Sequence, residues 1–296
     1  MKVNLRHCFV IFVVLFGCNS SQDSAKEEWI QLFNGNDLTG WDLKIAGRDL
    51  NDNLNNNFKV EDGVMKVDYS GFTHFNGDFG HIYYSQPYSY YRVRLEYKFT
   101  GKQLEGGPSW ANMNSGIMVH SQSAKSLDRD QSFPVSLEMQ FLASDEKDKR
   151  HTGNLCTPGT EVYQNGRRIE AHCIDSNSEY YPQGQWVKAE AVVLGDSVIH
   201  HIINGDTVLS YQLPHLSEWF VGKNNTWAFG GVSDSLQWIQ KKDLPLAEGY
   251  IALQAESHPI EFRNIELLNL KGCLDPKAMN YKSYYIKSDP SACRYK

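Results

Sequence analysis

In Val135-Ser136-Leu137-Glu138-Met139-Gln140-Phe141 every odd-numbered residue is apolar and every even-numbered one polar. Successive side chains of a strand point to opposite faces, so this segment is a half-buried strand with Glu138 and Gln140 side by side, away from the core. The same two-residue period recurs in Phe58 to Val67, Tyr91 to Phe99, Ser115 to His120, Trp186 to Leu194, Val198 to Ile203, Tyr250 to Gln254 and Ile260 to Leu268. No stretch of helical length carries a sustained 3.6-residue apolar stripe, which makes the chain all-β. Asp62-Gly63, Gly195-Asp196 and Asn204-Gly205 are hairpin turns by composition, so the pairing is antiparallel. Two antiparallel sheets packed face to face, as in a jelly roll, are the expected architecture.

The outward face of Tyr91 to Phe99 carries Arg92, Arg94, Glu96 and Lys98, which either meets water or lines a cleft. Tyr and Trp are abundant, which suits both sheets and sugar-stacking surfaces. A net charge of -6 and a pI near 5.9 argue against nucleic acid as a partner.

At the N-terminus Lys2 and Arg6 precede the apolar run Phe9 to Phe16, too short to span a bilayer and suited to an export signal. Leu15-Phe16-Gly17-Cys18 resembles the lipobox of bacterial lipoproteins, with Phe16 a slight departure. The resemblance implies a signal peptide over 1–17, acylation of Cys18, and membrane attachment on the periplasmic side or at the cell surface. Residues 18–28 are polar and read as a flexible tether. Export leaves Cys156, Cys173, Cys273 and Cys293 in an oxidising compartment, where sequence proximity favours Cys156 with Cys173 and Cys273 with Cys293. A zinc site is the rival use, with His172 beside Cys173 but no second close pair.

The segment Trp29 to Trp41 (WIQLFNGNDLTGW) resembles the opening of the 3-keto-disaccharide hydrolase family. In order follow Phe58-Lys59-Val60-Glu61-Asp62-Gly63, Asn114-Ser115-Gly116-Ile117, Ser136-Leu137-Glu138-Met139-Gln140, Thr152-Gly153-Asn154-Leu155, and Gly249 to Gln254 leading to Pro259 through Ile265. The resemblance covers residues 29–270 and implies a concanavalin A-like jelly roll acting on glycosides oxidised to a ketone at C3. Around Cys156 and His172-Cys173 the chain looks like one subgroup, and at Glu256 and Ser257-His258 it departs from members that carry a His and small residues there.

A ketone at C3 acidifies the C2 proton, so a base can remove it and the enediolate can expel the C1 substituent, as a lyase or, once water adds, a net hydrolase. The chemistry needs a base, a donor or cation for the enediolate oxygen, and an acid for the leaving group. The candidate catalytic residues are Glu138 as base or metal-binding carboxylate, Gln140 as donor, and His151 as acid or metal ligand, with a divalent metal ion as possible cofactor. Candidate substrate-binding residues are Trp110, His120, Gln254, Glu256 and His258. Two other functions fit the same fold: a non-catalytic carbohydrate-binding module, and an ordinary glycosidase, for which Glu96, Glu161 or Glu256 would have to approach Glu138. Residues 271–296 resemble a short cysteine-bracketed motif of bacterial surface proteins, in which Asp275 and Asn280 serve turn formation or calcium.

Overall fold

The alternating strand Tyr90–Phe99 is the spine of the larger sheet in a computed structural model that describes residues 26–223 and 226–296. The expected export signal and Cys18 lie outside the described residues. Tyr91, Val93, Leu95, Tyr97 and Phe99 are buried between the sheets, while Arg92, Arg94, Glu96 and Lys98 face outward. That outer face is a solvent-side ion-pair lattice: Arg92 with Glu190, Arg94 with Glu266, Arg263 with Glu96 and Lys98 with Glu261. The guanidinium groups of Arg94 and Arg263 also lie over the rings of Trp29 and Trp186.

Around this strand the larger sheet pairs Val187–Leu194 on one side and Ile260–Asn269 on the other, all antiparallel. Its two ends are hairpins, Thr160–Gln164 with Arg167–Ile169 and Phe58–Glu61 with Val64–Val67. The latter turns at Asp62 and Gly63, both with positive φ. The smaller sheet runs Cys173–Ile174, Asn154–Cys156, Leu137–Leu142, Asn114–Ser121, Tyr250–Ala255, Gly80–Tyr84, Trp41–Ile45. Two stacked antiparallel sheets confirm the jelly-roll sandwich.

Between the sheets, Ile117, Val119, Leu137, Met139, Phe141 and Leu253 interdigitate with the inward residues of the larger sheet in one core. Tyr97 from one sheet stacks on Phe141 of the other, centroids 4.2 Å apart, and its hydroxyl meets Thr152 Oγ1 at 2.7 Å. Each such buried apolar side chain contributes about 1.5–3 kcal/mol over its exposed state. The odd-numbered side chains of Leu137–Leu142 are thus fixed inward, and Glu138 and Gln140 are left on the opposite face.

Both expected disulfides are formed, Cys156–Cys173 and Cys273–Cys293. After the last long strand the chain makes a short parallel pair, Lys271–Gly272 with Lys287–Ser288, and Lys282 reaches back to Glu28 near the start of the sandwich. Asp275 accepts from the Lys277 amide at 2.9 Å and the Tyr295 hydroxyl at 2.7 Å. Asn280 bonds the Ala292 carbonyl and the Arg294 amide. Both residues are used in turns.

Candidate active site

The outward face of the smaller sheet is the floor of a cleft of about 760 Å³. Glu138 lies across from Met118 on one side and Cys156 on the other, and Gln140 across from Gly116 and Asn154. Glu138 is 7 % exposed and receives no hydrogen bond from the described residues. Its side chain lies over Gly116: an added Cβ there would stand 2.6 Å from Oε1 and 2.8 Å from Cγ of Glu138. Only a residue without a side chain leaves that space.

Glu256, just past the strand Tyr250–Ala255, lines the same cleft at 3 % exposure, and its buried Oε2 has no hydrogen-bond partner among the described residues. Burial pushes the Glu138 carboxyl up. Burial, and then the charge of Glu138, push Glu256 well above the ordinary carboxylate range. Two desolvated carboxyls that feel each other cannot both ionise freely, so the pair retains a proton toward neutral pH and offers one acid and one base.

Gln254 shares this face, because Ala252, two residues before it, sits across from Met118, which in turn sits across from Glu138. It is fully buried, and neither amide atom has a hydrogen-bond partner among the described residues. The amide of Gln140 is oriented by its neighbour: Asn154 Oδ1 accepts from the Ser176 amide at 2.9 Å, so its Nδ2 donates to Gln140 Oε1 at 3.2 Å. Gln140 Nε2 is thereby left as a donor. Arg150 brings a cation to the cleft, its Nη2 held by the carbonyls of Asn112 at 2.9 Å and Ala143 at 2.7 Å.

Sheet order separates the two flanks. Phe79 enters from the Gly80–Tyr84 side, and Trp110 stacks on it with centroids 5.8 Å apart and planes within 6°. The Cys156–Cys173 bridge, His172 and Pro158 form the flank beside Glu138. The Cys156, Cys173 and His172 ligand atoms lie within 4.8 Å of one another, but both sulfurs are spent in the disulfide, which removes the zinc reading.

Of the sequence candidates, Glu138, Gln140, Glu256 and Trp110 line the cleft and Gln254 lies in the same sheet face. Three histidines are elsewhere. His151 Nδ1 is 2.5 Å from the Ser178 carbonyl and its ring lies against Tyr180, so it does not meet Glu138 as an acid or as a joint metal ligand. At His120 a register shift and a φ of 49° break the alternation, and the ring turns to the Gly195 carbonyl and the edge of Tyr91. His258 follows Ser257, whose φ is 73°, and packs edge-on against Phe99. Burial lowers the pKa of His120 and His258 to about 4, so both are neutral. Arg150, His172, Phe79, Phe133 and Phe229 are cleft residues that no strand period announced, since Phe229 lies in the 3-10 turn Trp227–Gly230 and the others in loops or at strand ends.

Among solved structures, two provisionally assigned glycosyl hydrolases from Parabacteroides distasonis are similar. One has a TM-score of 0.48 and 21 % identity, covering 82 % of this chain and 100 % of that one. The other has a TM-score of 0.46 and 20 % identity, covering 82 % and 94 %. A β-glucanase from Bacillus licheniformis has a TM-score of 0.43 and 12 % identity, covering 82 % and 97 %. No curated protein matches the chain in sequence. Residues 28–268, which hold the whole floor of the cleft, match the model of the 3-keto-alpha-glucoside-1,2-lyase-like domain, and the chain belongs to that carbohydrate-active family.

Proposed function

We propose that this protein cleaves glycosides whose sugar has been oxidised to the ketone at C3. The observation that carries the reading is the pair of buried carboxyls, Glu138 and Glu256, lining one cleft in a chain of this family, where burial raises both toward the protonated form. Ionised Glu138 takes the C2 proton, and the C–H electrons form the enediolate with the C3 oxygen. Gln140 Nε2 and Arg150 stabilise that oxygen by hydrogen bonding and charge. As the enediolate collapses, the C1–O bond breaks and the departing oxygen takes the proton held by Glu256. An enone and an alcohol result, and later addition of water to C1 makes the net reaction a hydrolysis. We also propose export and acylation at Cys18, a reading that rests on the sequence and agrees with two formed disulfides.

Taken without the family match, the carboxyl pair also fits a second reading, an ordinary two-carboxylate glycosidase. Incubation with a 3-keto-glucoside and with the unoxidised glucoside separates them. Enone absorbance should rise with the first alone, and Glu138→Gln should slow it at least about a hundredfold. Cleavage of the unoxidised glucoside with the ketone left intact would favour the second. Activity that survives EDTA assigns the chemistry to the carboxyls; activity lost to EDTA and restored by a divalent ion assigns Glu138 to metal binding.

A further inference from the structure

The walls of the cleft differ in kind from its floor. Glu138, Gln140, Asn114, Glu256 and Arg150 make the floor polar, whereas Phe79, Trp110, Phe133, Pro158 and Phe229 make the walls apolar. Trp110 is 53 % exposed and Phe229 65 % exposed. Trp110 is backed by the stack on Phe79, and the backbone that presents Phe229 is fixed on both sides, by Trp227, whose Nε1 donates to the Glu218 carbonyl at 2.9 Å, and by Gly230, whose carbonyl takes the Ser132 amide at 2.9 Å. A ring held in place by stacking, as Trp110 is, loses little freedom when a ligand covers it.

The polar floor accounts for one sugar, but a cleft of about 760 Å³ has room for more. It lies within the roughly 300–1,000 Å³ of pockets for drug-sized ligands. A second sugar in the remaining space could lay one C–H face on an aromatic ring, but its hydroxyls would project toward walls whose polar groups are only Ser109, Ser132, His172 and Asp148, the last already paired with Arg150. Hydroxyls stripped of water without new partners weaken binding, and sites discriminate strongly on that basis. A flat apolar group meets no such cost and gains ring contact. Resting on the elimination reading above, we infer that the leaving group is a planar apolar alcohol, such as a phenyl-bearing aglycone, held by Trp110 and Phe229.

The test compares methyl 3-keto-glucoside, 2-phenylethyl 3-keto-glucoside and a 3-keto-disaccharide of the same anomer. 2-Phenylethanol departs no more readily than a sugar hydroxyl, so kcat/KM reports how the leaving group is held rather than its chemistry. The phenylethyl compound should exceed both others by at least about tenfold, and Trp110→Ser and Phe229→Ser should each shrink that ratio. A disaccharide turned over as well or better, or a ratio unmoved by both substitutions, overturns the inference. If no 3-keto compound is cleaved, the elimination reading falls. Calorimetry then judges the subsite alone, with unoxidised 2-phenylethyl glucoside against the unoxidised disaccharide: at least about tenfold tighter binding of the phenyl compound supports it, and no preference overturns it.

Discussion

Replacing Glu138 by Gln should stabilise the protein and remove its activity in one step. Burial raises the folded-state pKa of Glu138 above the unfolded value, so the folded state keeps a proton that the unfolded chain has released. For an acid shifted in this direction, stability is unaffected well below the unfolded pKa near 4.5 and falls as pH rises toward the folded pKa of about 8. Full linkage over that interval would amount to about 5 kcal/mol, at about 1.4 kcal/mol for each pKa unit. That is an upper bound, because water reaching the cleft and coupling to Glu256 both weaken the linkage; with somewhat under half of it retained the effect is on the order of 2 kcal/mol. In a domain of this size that corresponds to about 4–8 °C in Tm. Thermal melts of both proteins from pH 4.5 to 8.5 give the difference directly, and subtraction cancels the other titrating groups. The Glu138→Gln advantage should be near zero at pH 4.5 and should grow toward pH 8. A difference constant with pH, or a variant less stable than the parent at pH 8, would falsify the claim that an unrelieved buried carboxyl sits there.

Gly116→Ala should leave the far-ultraviolet circular dichroism intact and reduce turnover at least about tenfold, because the added methyl displaces the Glu138 carboxylate; unchanged kinetics would mean that Glu138 works from another position. His151→Ala should retain turnover within about threefold while His172→Ala loses more, measured as kcat/KM, since His172 alone of the two lines the cleft. Radiolabelled fatty acid fed to expressing cells should enter the full-length chain and be absent from Cys18→Ala, and label persisting in that variant would sink the anchor.

The period-2 pattern carried the fold and half of the site. Leu137, Met139 and Phe141 are buried where their odd numbering put them, and Glu138 and Gln140 share the cleft for the same reason. The partner of Glu138 was among several carboxylates because strand order is not written in strand sequence. Glu256 comes near because a single strand, Asn114–Ser121, stands between the strand that precedes it and that of Glu138. Histidines were misplaced where the period fails: a bulge turns His120 inward, and in the loop after Leu142 it is Arg150, one residue before His151, that reaches the cleft. Loop aromatics such as Phe133 and Phe229 have no period to betray a face, so their gathering at the rim follows from tertiary packing alone.

The Cys156–Cys173 bridge has a consequence for when the site exists. Its sulfurs join the strand beside Glu138 to the segment bearing His172, so with both thiols reduced only the two-residue ladder of Cys156 and Leu155 with Cys173 and Ile174, and the Thr157 bonds to the His172 carbonyl, hold the wall beside the carboxyl pair. Were the chain exported as proposed, oxidation would act as a maturation step, tightening that wall only after the new chain enters surroundings where the bond can form.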